Sequence, residues 1–128
     1  FDRSCRAPLI VVAPSRQPGE VHGLVEFVDI YPTIAELTGL QPPSGLAGQS
    51  LLPLLEDPTR PGKPHARTMV TRGTHRGDSI RTDRWRYTIW SDGERELYDH
   101  SDDPQETRNL AATAKGAAII AELSAHFD

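Results

Sequence analysis

Between Pro8 and Pro14 the chain runs Leu9-Ile10-Val11-Val12-Ala13, with no polar residue interrupting it. A half-buried strand alternates apolar with polar residues, and an amphipathic helix spaces its apolar residues by three or four. A short unbroken apolar run instead fits a strand buried on both faces, as in the interior of a parallel sheet. Such a strand needs neighbours. No other segment of the 128 residues offers a comparable run, so the sequence predicts that its partner strands lie outside this chain. Composition points the same way: apolar residues make up 37% and mean hydropathy is -0.49, less to bury than an independent domain usually has. The length suffices for one domain with a core, yet the chain reads as a piece of something larger.

After a Pro/Gly loop over residues 15–20, Asp29 is placed to cap a helix from about Ile30 to Thr38, with Pro32 in its first turn and Gly39 as its stop. Ile30, Ile34 and Leu37 form its apolar stripe. Ser50 caps a shorter helix, Leu51 to about Glu56, with Pro53 in its first turn. The Pro-rich stretch 57–64 is the candidate boundary, dividing the chain into residues 1–64 and 65–128. From Met69 onward short strands dominate. Residues 78–82 and 86–90 flank a turn at Asp83-Arg84, and Asp92-Gly93 signals a hairpin into 96–98, giving a small antiparallel sheet. Asp103, Pro104 and Glu106 resemble a capping box opening a helical turn. A last helix, about Ala114 to Phe127, turns Ile119, Ile120, Leu123 and Phe127 to one face to cover the sheet. Trp85, Tyr87 and Trp90 either pack between that helix and the sheet or stack on a sugar ring.

The net charge of -4 is unevenly spread. Residues 60–90 hold eight basic and two acidic groups, whereas 1–59 hold three and seven and 91–128 hold three and nine. The basic island either faces an anionic ligand or is a solvated hairpin paired with neighbouring acids. An acidic whole with no recognition motif argues against nucleic acid. No apolar run reaches the length of a membrane span, and Phe1 opens on polar residues with neither an initiator Met nor a leader, as expected of a cut or incomplete start. The lone Cys5 has no internal disulfide partner and reads as a small, partly buried thiol.

Several segments, in order and spacing, resemble the C-terminal portion of a known family. These are Phe1-Asp2-Arg3-Ser4-Cys5-Arg6-Ala7-Pro8-Leu9-Ile10-Val11-Val12-Ala13-Pro14, the stretch Val25–Leu40 containing Val28-Asp29-Ile30-Tyr31-Pro32-Thr33, the Gly48–Pro53 turn, Ser79-Ile80-Arg81-Thr82-Asp83-Arg84-Trp85-Arg86-Tyr87-Thr88-Ile89-Trp90, and Glu96–Ala111. The family is the type I, formylglycine-dependent sulfatases of the alkaline-phosphatase superfamily, and within it the iduronate-2-sulfatase type, a glycosaminoglycan exo-sulfatase, is most similar. The resemblance implies an α/β fold. Residues 1–64 would be the incomplete end of the main α/β domain, one main-sheet strand plus helices, and residues 65–128 the small C-terminal subdomain, an antiparallel sheet covered by a helix. It also implies hydrolysis of sulfate esters, with a partner in the N-terminal catalytic portion and a sulfated carbohydrate as substrate. A periplasmic, secreted or lysosomal setting would follow for the full-length family.

The family's nucleophile comes from a Cys or Ser in a C/S-x-P-S-R motif, and a divalent cation, calcium by resemblance, is held by carboxylates and amides. Neither is present in this chain. Cys5-Arg6-Ala7-Pro8 places its Pro one residue too late, and Pro14-Ser15-Arg16 follows Val12 where the modified residue would stand. Asp102-Asp103 and Glu56-Asp57 read as turn and cap residues, and His22, His65, His75, His100 and His126 fall at no ligand spacing. The chain is therefore expected to hold no catalytic residue and no metal ligand, and to be inactive alone. What remains is substrate contact: Arg72, His75 and Arg76, on the glycine-flexed stretch 71–77, suit a sulfate or carboxylate, and a solvated loop is the alternative. Other readings of the whole are a phosphonate or phosphate monoester hydrolase and a non-catalytic binding module.

Overall fold

The computed structural model describes residues 2–14 and 16–127; Ser15, where the expected surface loop begins, lies outside them. The chain divides into two compact units, one of Pro8–Pro64 and one of residues 65–127 joined by residues 2–7. The first residues thus belong with the later unit, a division different from a single cut after residue 64.

In the unit of Pro8–Pro64, the apolar run 9–13 has no strand partner among the described residues. The expected buried strand is not formed, since a strand needs a ladder to complete it, and Ile10 and Val12 are 84% and 93% exposed. Two later segments do meet, where Lys63 N donates to Leu24 O at 3.0 Å. Gly23 and Gly62 allow this approach, because a Cβ on either would stand 2.5 Å from a backbone nitrogen of the other segment.

A short 3-10 turn, Phe27–Asp29, leads into α2, Ile30–Leu37, which ends before Gly39 at φ 72. Asp29 does not cap α2 as its position suggested. Its fully buried carboxylate accepts from Glu26 N and Gln49 N, both at 2.8 Å, and from Lys63 Nζ at 2.6 Å, so it ties three segments together. Thr33 extends the tie, donating to Asp29 O at 2.6 Å and accepting from Leu51 N at 2.8 Å. These bonds set which side of α2 is buried: Pro32, Thr33 and Ala35. The expected stripe is not the buried face, for Ile34 is 55% exposed and Phe27, Val28 and Tyr31 are exposed as well. The short α3, Leu52–Glu56, begins after Ser50, whose Oγ accepts from Leu52 N at 3.2 Å.

The second unit opens with α1, Asp2–Cys5, and contains a four-stranded antiparallel sheet in the order β1 (Ala66–Arg72), β2 (His75–Arg81), β3 (Trp85–Trp90), β4 (Arg95–Asp99). The stretch 71–77 is not a loop. Arg72 pairs with His75 across the two-residue turn Gly73-Thr74, where Gly73 takes φ 60 without a Cβ penalty. The later hairpin turns through Gly93 at φ 90, with Trp90 N donating to Glu94 O at 2.9 Å. On one face, Tyr87 and Leu97 pack with Ile120 and Leu123 of α4, Ala114–Ser124, and Trp85, Ile89, Leu110, Ile119 and Phe127 surround them. Strand alternation sends Trp90 to the opposite face, so it does not lie beneath the helix with Trp85 and Tyr87.

The helix stops at Ser124, three residues short of the sequence expectation, and Phe127 reaches Tyr87 edge-on from the following turn at 5.7 Å. Thr113 Oγ1 accepts from Gly116 N at 3.0 Å to cap it. On the far edge, Asn109 seals β4, accepting from Leu97 N and donating to Arg95 O, both at 3.0 Å.

Candidate functional site

The β1–β2 tip carries the three basic residues singled out by sequence. Cross-strand partners share a face, so Arg72 and His75 stand together, whereas Arg76, next along the strand, points to the other face. The pleat therefore brings two of the three together. Each has a close partner. The Arg72 guanidinium lies 4.8 Å from the ring centroid of Trp90. His75 Nδ1 is 3.1 Å from Asp92 Oδ2, and Arg76 Nη2 donates to Asp78 Oδ1 at 3.0 Å. The backbone of the tip is held too: Ser91 N donates to Arg76 O at 2.7 Å, and Arg76 N donates to Ser91 Oγ at 3.1 Å. Trp90 can lie against β2 because Gly77 is its cross-strand neighbour, where a Cβ would come within 3.0 Å of the ring. Sequence reasoning missed Trp90, Ser91 and Asp92 as partners, because the pairing follows from hairpin register and polar residues on both strands leave no alternation to count.

A second cluster lies inside the same unit. Arg86, nearly fully buried, donates through Nε to Glu106 Oε1 at 2.6 Å and through Nη2 to Asp2 Oδ1 at 2.9 Å. His100 Nε2 meets Glu106 Oε1 at 2.8 Å, Asp2 N donates to Glu106 Oε2 at 3.0 Å, and Arg81 Nε stands 3.6 Å from Asp2 Oδ1. Burial raises the pKa of both carboxyls, but the attractions outweigh it. Asp2 is held below the usual carboxylate range by Arg86 and Arg81, and Glu106 by the Asp2 amide, Arg86 and His100. Burial pushes Arg81 down, with Asp2 partly offsetting it. Glu106 is the one non-glycine residue at positive φ among the described residues, φ 56. It is not the second half of a capping box; Asp103 alone takes the amides of Thr107 and Arg108, both at 2.8 Å, and no helix forms there.

Asp2, His100 and Glu106 place ligand-type atoms within 4.8 Å of one another. They do not fit a hard divalent cation, because the Arg86 guanidinium already supplies the positive charge between the two carboxylates and hydrogen-bonds to both. Cys5 is free and exposed, not partly buried. No helix among the described residues is long and apolar enough to cross a membrane.

The fold has counterparts in known proteins. Arylsulfatase K of Gallus gallus is 36% identical over 124 residues, covering 87% of this chain and 23% of that protein. A solved structure of a 2-O GAG sulfatase superposes with a TM-score of 0.69 at 34% identity, covering 78% of this chain and 23% of the other. The phosphonate monoester hydrolase of Agrobacterium radiobacter superposes with a TM-score of 0.70 at 26% identity over 84% of this chain and 25% of the other. The chain thus spans about a quarter of the length of the relatives it matches. The family profile described as N-sulphoglucosamine sulphohydrolase, C-terminal, matches residues 1–128, end to end, and the chain belongs to that family of sulfatase C-terminal regions.

Proposed function

We propose that the chain is the closing portion of a sulfatase that hydrolyses sulfate esters on a sulfated sugar of the glycosaminoglycan class, in the manner of iduronate-2-sulfatase. The family match over residues 1–128 carries this reading, and the likeness to a 2-O GAG sulfatase supports the substrate class. The nucleophile and a divalent cation, calcium by resemblance, belong to the part of the enzyme outside these residues. The chain alone is inactive. Its own contributions are the apolar run 9–13, which completes a sheet built from that other part, and the β1–β2 tip. There Arg72 and His75 on one face, with Arg76 on the other, contact the anionic sugar beside the scissile ester.

Replacing Arg72 or His75 by Ala in the complete enzyme weakens kcat/KM for a sulfated oligosaccharide more than for a small aryl sulfate. Loss of one charge-assisted contact corresponds to about 1.5–3 kcal/mol, or roughly tenfold to hundredfold. Equal losses on both substrates would refute the contact. The structural likeness to a phosphonate monoester hydrolase favours one other reading. Faster turnover of a phosphonate monoester than of any sulfate ester would select it.

A further inference from the structure

Arginine and histidine side chains at a two-residue turn sample many rotamers unless something holds them. At this tip the next hairpin does so. Trp90 is itself fixed: it is buried, set against Gly77, and has the Arg72 guanidinium 4.8 Å from its ring centroid. Asp92 divides its carboxylate, Oδ1 accepting from Glu94 N at 3.0 Å within its own turn and Oδ2 standing 3.1 Å from His75 Nδ1. The Nδ1 side of the imidazole therefore faces Asp92, which leaves Nε2 for a sugar hydroxyl or, in the imidazolium, for a sulfate or carboxylate oxygen. Arg72, on the same face, adds a planar cation beside it.

We infer that Trp90 and Asp92 are positioning residues, which hold Arg72 and His75 together as one preorganised recognition element for an anionic sugar. The inference rests on the substrate contact proposed above for the tip. Preorganisation removes the ordering cost that two free side chains would incur on binding.

Double-mutant cycles in the complete enzyme test it, with steady-state kinetics on a sulfated oligosaccharide. Asp92→Ala raises KM about twofold to fivefold, the range of an exposed ion pair, more than it lowers kcat. That effect disappears in a His75→Ala background. Asp92→Asn keeps an acceptor at the same place and recovers most of the loss. Trp90→Phe behaves the same way toward Arg72→Ala, with thermal unfolding run on every variant to separate misfolding. Equal Asp92→Ala effects with and without His75, or equal Trp90→Phe effects with and without Arg72, overturn the assignment for that pair. If Arg72→Ala and His75→Ala have no effect themselves, the substrate contact fails and positioning falls with it. If they have an effect and Asp92→Ala and Trp90→Phe have none, only positioning is refuted.

Discussion

Replacing Arg86 by Leu isolates what the buried charge cluster contributes. The guanidinium makes short, charge-assisted bonds to Glu106 at 2.6 Å and Asp2 at 2.9 Å and a longer one to Ser79 at 3.4 Å. The arginine and glutamate side chains are 3% and 2% exposed, so water cannot replace the lost donor at Glu106. Leucine fills most of the volume and removes this donor from both carboxylates, leaving Glu106 the Asp2 amide and His100, and Asp2 the more distant Arg81. Two charge-assisted bonds at about 1.5–3 kcal/mol each agree with the roughly 3–5 kcal/mol lost when one partner of a buried pair is removed. Both tryptophans of the chain, Trp85 and Trp90, sit in β3, so fluorescence during urea unfolding of the chain reports this sheet. With a slope of about 2 kcal/mol/M, the midpoint should fall by about 2 M.

The pH dependence gives a second, independent check. Asp2 and Glu106 have depressed pKa values in the fold, so their contribution is present above the ordinary carboxylate range and is lost as pH falls through the folded values. Without Arg86 both carboxyls lose part of what holds their pKa values down against burial. The gap between parent and Arg86→Leu is therefore widest near neutrality and narrows below about pH 4. A loss under about 1 kcal/mol, or a gap that does not change with pH, would show that the cluster is effectively solvated and refute the reasoning.

Two further substitutions separate the units. Gly116→Ala places a Cβ 2.0 Å from Leu110 O at the start of α4, and should lower stability by about 1–3 kcal/mol in denaturant titration; an unchanged midpoint would contradict the packing. Ile10→Lys with Val12→Lys should leave the unfolding of this chain within about 0.5 kcal/mol of the parent, since both side chains are exposed, while abolishing soluble expression of the complete enzyme; normal expression would show that the run completes no sheet.

What was legible in the sequence is what local pattern decides. The Asp92-Gly93 turn and the spacing of Ile119, Ile120 and Leu123 specify a hairpin and a helix face whatever surrounds them, and both are found. The errors arise where a distant partner outcompetes a local one. Glu106 sits at capping-box spacing from Asp103, but Arg86, twenty positions away, takes its carboxylate and holds the backbone at φ 56. Asp29 sits at an N-cap position, but Lys63 and Gln49 claim it. The stretch 71–77 reads as a loop because Thr71 and Arg72 on one strand and His75 and Arg76 on the other give no apolar alternation, and its hairpin is specified by a single glycine turn.

The positive φ of Glu106 shows how strongly tertiary charge can decide local structure. A left-handed non-glycine residue costs about 1–3 kcal/mol, so the chain would drop it for a helical turn if Asp103 and Glu106 had only each other. It persists because Glu106 accepts from Arg86 and Asp2 N and meets His100, contacts that a helical turn would forfeit together. The sheet unit is thus closed from within: its charges are paired inside and its core is covered by α4. The unit of Pro8–Pro64 is different, with buried ties at Asp29 and Thr33 but large apolar side chains at Ile10, Val12, Phe27 and Tyr31 left exposed. Changes at inward positions should therefore damage the sheet unit. In the unit of Pro8–Pro64, the consequential changes are on the outside, where an apolar surface has value only once another part of the protein covers it.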